Sequence, residues 1–276
     1  MEFRTIVDIP RPEFAIEPCE PMLFVGSCFA DSIGRRFREE GFPVAVNPYG
    51  VMYNPVSVLH SVERYSADVW PRVAFITLGT NHVYREKATG EIVDNCQKRP
   101  QSLFQEELLT VDACADALQQ TVSVLRTRRP DVQVVFTVSP IRYRKYGYHE
   151  SQLSKATLLL AVDKVITDFK YQTSNFQLSY FPAYEIVMDE LRDYRFYAPD
   201  MLHPSAQAVE YIWQQLVAHY FSPRAQAYLS EWAPLKAALG HRPFNAESPE
   251  YRALMDKTML KVAELQKKYP TFAFPK

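Results

Sequence analysis

Hydrophobic and polar positions alternate along this 276-residue chain in blocks that switch between two periods. Met22–Gly26 is a short apolar run ending in Gly-Ser, and the segment from about Asp31 to Glu40 places Ile33 and Phe37 four apart among charges. This predicts a strand feeding a helix that closes at Gly41. Val44–Val46 predicts a second short strand running into Asn47-Pro48-Tyr49-Gly50, a turn punctuated by Pro and Gly and followed by further loop. Val73–Leu78 and Val132–Val138 are β-branched and almost continuously apolar, the signature of central strands covered on both faces.

Helical spacing fills the intervals. Ser102–Arg129 carries Leu108, Val111, Ala115, Leu118, Val122 and Leu125, and it stops at Arg129-Pro130. Ser151–Lys170 sets Leu158, Ala161, Val165 and Phe169 on one side; Phe176–Phe181 reads as a strand and Ala206–Phe221 as a helix. Such alternation predicts an α/β domain over 1–221, with a mainly parallel sheet between two helical layers in a three-layer α/β/α sandwich. Beyond it, Pro223, Pro234, Gly240 and Pro243 change the texture, and Ser248-Pro249-Glu250 opens a helix with an N-cap and Pro at the first position. Its stripe is Tyr251, Leu254, Met255, Val262 and Leu265, so 222–276 reads as a helical C-terminal extension packed on the core or on a partner chain, which admits a homo-oligomer.

Composition narrows the function classes. With 47% hydrophobic residues the chain has material for a large core, and 31 basic against 32 acidic side chains give a charge of −1, no footprint for gripping nucleic acid. No apolar run reaches the roughly 20 residues of a membrane span. The first ten residues lack the basic start and apolar stretch of a secretory signal, so the expected location is cytoplasmic. Cys19, Cys28, Cys96 and Cys114 show no Cys-x-x-Cys spacing, and no His pair has zinc-hydrolase spacing, so reduced thiols and neither metal nor cofactor are expected.

Chemistry concentrates at two places. Ser27, in Phe24-Val25-Gly26-Ser27-Cys28-Phe29-Ala30, ends the first strand beside a helix start, where open α/β sheets bind ligands. Its hydroxyl suits a nucleophile, although Gly-Ser at a strand-to-helix junction is most often just a turn and an N-cap. Asp200-Met201-Leu202-His203-Pro204 precedes the last core helix, with Pro204 biasing His203 away from α geometry and ready to be the first helical residue. Asp200 can accept from one ring nitrogen and leave the other to take a proton from serine; a capped turn with a surface His is the alternative.

Ser27 and Asp200-x-x-His203 at opposite ends of one α/β core resemble the SGNH (GDSL-like) hydrolases. More narrowly, Gly26-Ser27-Cys28-Phe29-Ala30 is the name-giving string of the GSCFA family, grouped with that superfamily. Asn47-Pro48-Tyr49-Gly50, Thr77-Leu78-Gly79-Thr80, Ser139-Pro140-Ile141-Arg142, Tyr180-Phe181-Pro182-Ala183-Tyr184-Glu185 and Asp200-Met201-Leu202-His203-Pro204 also look like this family, over roughly residues 20–220. The resemblance implies ester hydrolysis or acyl transfer, with an acetylated carbohydrate or other small-molecule ester as the expected substrate, by a triad of Ser27, His203 and Asp200. It implies an oxyanion hole from the amides of Ser27 and Gly50 and the side chain of Asn81, in Gly79-Thr80-Asn81, with His82 where the superfamily often has Asp. Asn95, in Val93-Asp94-Asn95-Cys96, rivals Asn81 and is also a candidate substrate contact; for both asparagines a turn residue is the alternative. Gly26 replaces the usual Asp before the serine, and Cys28 is expected to be buried and structural. Arg142 and His149, in the basic and aromatic run after Val132–Val138, could bind a sugar, carboxylate or phosphate, or be a solvated loop; Tyr184 and Glu185 could line the same pocket or anchor a helix. A non-catalytic glycan or small-ligand binding module on the same fold is the rival function.

Overall fold

The computed structural model describes residues 3–168 and 175–275. Five parallel strands, β1 (Met22–Gly26), β2 (Val44–Val46), β3 (Val73–Leu78), β7 (Gln133–Val138) and β8 (Leu178–Tyr180), lie in the order β2-β1-β3-β7-β8. Side chains alternate across a strand, so Met22 and Phe24 enter one core while Leu23 and Val25 enter the other. The first core packs the sheet against α1 (Cys28–Glu39) and α6 (Ala206–Tyr220); the second packs it against α2 (Pro55–Arg64), α3 (Val111–Arg128) and α4 (Tyr148–Asp168). The result is the α/β/α sandwich with a parallel sheet that the periodicity predicts.

Strand order reverses between β1 and β3, and the crevice outside the carboxyl ends at such a reversal is where open α/β sheets bind ligands. Those ends carry Gly26-Ser27, Asn47, Gly79-Thr80-Asn81, Ser139 and Phe181.

Several elements differ from expectation. Helix α1 begins at Cys28 because the Ser27 hydroxyl accepts from the Phe29 N–H at 3.2 Å and caps it earlier than the apolar spacing suggests. The loop expected after Gly50 contains α2, capped by Asn54 with Pro55 at its first position. A separate antiparallel sheet joins β4 (His82–Glu86), β5 (Ile92–Val93) and β6 (Phe104–Leu108). Residues 104–108, expected to open a helix, are therefore a strand paired to β4, and α3 starts at Val111 after its Thr110 cap. The expected end of the fourth core helix, with Phe169, lies outside the described residues. Pro204 is not the first residue of α6: Ser205 is the cap, and Pro204 pairs in a β-bridge with Tyr197.

The C-terminal segment forms α7 (Pro223–Gly240) and α8 (Pro249–Lys268). Trp232 of α7 donates to the Glu39 carbonyl at 3.1 Å, and Tyr228 donates to that of Glu40. With Phe272, these rings complete the core on the α1 side. Of the expected α8 stripe, Val262 and Leu265 are buried whereas Leu254 is exposed.

Candidate active site

At the end of β1 the backbone turns at Gly26, with φ +138°. A Cβ here would stand 1.9 Å from the Thr77 carbonyl oxygen, so only glycine fits. The Gly26 N–H donates to Asn47 Oδ1 at 2.8 Å, and Asn47 Nδ2 donates to Asp31 at 2.7 Å, tying β2 to the start of α1. Ser27 follows, 1% exposed. Its N–H lies 3.0 Å from both the carbonyl and Oγ1 of Thr77, and its hydroxyl is 3.1 Å from Thr77 Oγ1 while capping α1.

Cys28, the first residue of α1, is half-buried rather than sealed in the core as expected. Its position in the first turn puts the thiol outside the β1–β3 lattice that encloses Ser27, with Sγ 3.6 Å from the Tyr53 hydroxyl. Burial and the adjoining Cys28 both push the Tyr53 phenol up, so it stays protonated at neutral pH. All four cysteines are free thiols.

The 197–204 loop supplies the imidazole. It closes through the Tyr197–Pro204 bridge and an Ala198 N–H to His203 carbonyl bond of 2.7 Å, with Met201 at φ +60°. Asp200 Oδ1 accepts from the N–H groups of Leu202 and His203 at 2.9 and 3.0 Å, and Oδ2 lies 2.6 Å from His203 Nδ1. These bonds, the His203 amide first, then the Leu202 amide and then the imidazole, hold the Asp200 carboxyl down to about 2. A carboxylate on Nδ1 fixes the proton there and leaves Nε2 as acceptor. Both side chains are 45% exposed.

Contacts run from this loop towards Cys28 along the sheet edge. The Arg142 N–H donates to the Leu202 carbonyl at 3.1 Å, and the ring of Tyr143 lies 6.1 Å from that of Tyr53. Among the described residues no hydrogen bond joins His203 to Ser27 or Cys28.

The expected oxyanion donors are engaged within the protein. The Gly50 N–H donates to the Asn47 carbonyl at 2.9 Å, and Asn81 Nδ2 donates to the Leu109 carbonyl at 2.8 Å, while Asn81 Oδ1 is buried with no hydrogen-bond partner among the described residues. Asn95 is exposed and accepts the Gln97 N–H, an Asx turn. His82 is buried, bonded to Glu106 at 2.9 Å and stacked on Tyr146 at 3.8 Å. The Arg142 guanidinium lies over the rings of Tyr148 and Tyr197, at 4.5 and 4.9 Å. His149 is exposed in the first turn of α4, Tyr184 donates to Gln152, and Glu185 accepts from Tyr180.

Lys155 was not anticipated. It is buried on α4 and donates at 2.7 Å to the carbonyls of Gly79 and Ser139, clamping the ends of β3 and β7. Ser154 beside it bonds Thr80 Oγ1 and the Asn81 N–H, both at 3.0 Å. Burial pushes the Lys155 ammonium down to about 7, while the two carbonyls favour its charge. A lysine on the buried face with Ser151 and Leu158, three to four residues away, was the available signal.

Fold and site together define an α/β protein with its candidate chemistry at the carboxyl edge of a parallel sheet, around a carboxylate-oriented imidazole. The GSCFA family model matches residues 21–72 and 69–216, and the model for the GSCFA domain protein, C-terminal domain, matches 232–276. The chain belongs to the GSCFA family. A search of curated proteins gives no match. Among solved structures it is similar to a carbohydrate esterase family 3 protein from Talaromyces cellulolyticus, at 10% identity and a TM-score of 0.45, over 77% of this chain and 99% of that one. It is also similar to an acetyl-xylooligosaccharide esterase from Geobacillus Stearmophilus, at 13% identity and a TM-score of 0.46, over 75% and 96% of the two chains.

Proposed function

We propose that the protein is an ester hydrolase or acyltransferase of the SGNH type whose core, residues 1–221, carries the reaction and whose segment 222–276 buttresses it. The observation that carries this reading is the Asp200–His203 pair, 2.6 Å apart, with Nε2 left to accept a proton at the sheet edge where β1 delivers Ser27-Cys28. A nucleophile at that turn attacks the ester carbonyl, its proton passes to His203, and the imidazolium, stabilised by Asp200, protonates the departing alcohol. Water or an acceptor hydroxyl then attacks the acyl group, its proton passing to His203, which returns it to the departing oxygen or sulfur of the nucleophile and regenerates the free enzyme. Acylated carbohydrates are the substrate class favoured by the aromatic and basic side chains around Arg142, Tyr148 and Tyr197.

Ser27 is the nucleophile of this reading when the turn opens enough to release its hydroxyl from Thr77. Cys28 is the second reading, favoured by its half-buried thiol beside Tyr53. Both are tested by trapping the acyl-enzyme formed from p-nitrophenyl acetate and locating the acetyl group by peptide mass spectrometry in the wild type, Ser27→Ala and Cys28→Ala proteins. An adduct on either residue that disappears in His203→Gln supports the enzyme and identifies the nucleophile. Absence of both turnover and adduct in folded wild-type protein favours the non-catalytic binding module.

A further inference from the structure

A cavity of about 340 Å³ opens beside the His203 loop between α4 and the segment following α5 (Ala183–Glu185). Its wall includes Arg142, Tyr148, Gln152, Arg192, Asp193 and Tyr197. Two contacts join its wall to the candidate site: Tyr197 bridges to Pro204, and the Arg142 N–H holds the Leu202 carbonyl, so two wall residues contact the neighbours of His203 on either side.

The charge arrangement is unusual. Arg142 is half-buried, and among the described residues no hydrogen bond or ion pair engages its guanidinium, which is held instead over two tyrosine rings. Contacts with ring faces spend none of the guanidinium N–H groups on an oxygen, so the donors that match two oxygens of a carboxylate or phosphate are left for a ligand. Arg192 adds a second cation without an ion-pair partner among the described residues. The one acid in the wall, Asp193, is already committed to Arg195, through its N–H at 2.9 Å and its guanidinium at 3.3 Å.

We propose that this cavity is a subsite for an oxyanion, a carboxylate or phosphate, carried on a sugar-sized ligand, with Arg142 as its bidentate anchor and Arg192 as a second cation. Its role in presenting the alcohol part of a substrate to His203 rests on the esterase reading; its capacity to bind an anion does not. The volume suits an acidic sugar better than a free ion, and the Tyr148 hydroxyl and the Gln152 amide in the wall can meet a ring's hydroxyls.

The test is equilibrium binding, which needs no turnover. Titration calorimetry or ligand-observed NMR is run with D-glucuronate, glucose 6-phosphate, inorganic phosphate and glucose on the full chain, wild type, Arg142→Met and Arg192→Met. An acidic sugar should bind at least about tenfold more tightly than glucose, the preference should vanish in Arg142→Met and weaken in Arg192→Met, and added salt should reduce it. Tighter binding of glucuronate than of glucose 6-phosphate assigns the carboxylate, and the reverse assigns the phosphate. Inorganic phosphate binding as well as either sugar would overturn the sugar-sized ligand. Equal binding of charged and neutral sugars, a preference surviving in folded Arg142→Met, or no binding of any probe at millimolar concentration would overturn the subsite. An esterase without the subsite turns over neutral esters yet shows no acidic preference; a subsite without the esterase shows the preference and forms no acyl adduct.

Discussion

The two halves of the candidate site are built in opposite ways. At the end of β1, Gly26 and Ser27 are locked into a buried lattice of hydrogen bonds with Thr77 and Asn47. At the 197–204 loop, Asp200 and His203 stand 45% exposed, held by a short ring of local bonds. Rigidity comes from burial in the first half and from hydrogen bonding within eight residues in the second. Substitutions of the residues that enclose Ser27 should therefore register mainly as stability, and those of the exposed pair as chemistry.

Asp200→Asn makes the sharpest division. Without the carboxylate the imidazole loses its tautomer control and the stabilisation of its cation, so under the proposed mechanism kcat should fall by about 10³–10⁴-fold. The pair is exposed, and asparagine keeps an oxygen for the Leu202 and His203 amides, so the unfolding midpoint should stay close to that of the wild type. Ester hydrolysis and thermal denaturation on the same preparation check both, and a large loss of stability would show the loop to be structural. Gly26→Ala should do the reverse. A methyl group 1.9 Å from the Thr77 oxygen at φ +138° forces the β1–β3 edge apart, costing about 4 kcal/mol or more and leaving little folded protein. Soluble yield and chemical denaturation read it out, and near-wild-type stability would refute the lattice.

Lys155 tests whether the lattice extends to β7. Folding holds its ammonium down at about 7, whereas in the unfolded chain it titrates near 10.4. Between those values the unfolded chain binds the extra proton, so this group makes stability rise with pH from about 7 towards about 10; below about 7 both states are protonated and its slope vanishes. The carbonyls of Gly79 and Ser139 favour the charged form, which keeps the rise on the order of 2–4 kcal/mol. Lys155→Met should lower stability at neutral pH by about 2 kcal/mol, because two carbonyls lose their donor, and should flatten the slope. Denaturant titrations at pH 6, 8 and 10 measure it, and a slope unchanged in the variant would place the titrating group elsewhere.

How far the sequence reveals this division follows from how local each interaction is. Strands β1, β3 and β7 are readable because central parallel strands are continuous apolar runs, and the Asp200–His203 pair is readable because its partners lie three residues apart. Residues 104–108, Phe-Gln-Glu-Glu-Leu, carry helix-favouring glutamates beside a true helix, and only pairing with β4 makes them a strand. Helix α2 is short, but the Asn54-Pro55 start and the spacing of Val58 and Val62 signal it. The burial of Ser27 is invisible locally, since it depends on Thr77 fifty residues away. Cys28 looks like a core thiol by composition, and only the direction of the first turn of α1 leaves it half-buried.

Thr77→Val is the mildest perturbation and bears on the nucleophile. It removes the hydroxyl that meets both the N–H and the hydroxyl of Ser27, while the Thr77 carbonyl still accepts the N–H at 3.0 Å and the side-chain volume is nearly kept. The expected loss is about 1 kcal/mol, seen as a small shift of the denaturation midpoint. Its kinetic effect depends on which side chain reacts. If Ser27 attacks, freeing its hydroxyl from Thr77 alters the step in which it loses its proton, and kcat changes while KM for a small ester holds. If Cys28 attacks, Ser27 serves only to cap α1, and kcat/KM follows the wild type once the folded fraction is accounted for. A change in kcat together with an adduct on Cys28 would contradict the separation of a buried scaffold from exposed chemistry, because it would mean that the lattice around Ser27 sets the reactivity of its neighbour.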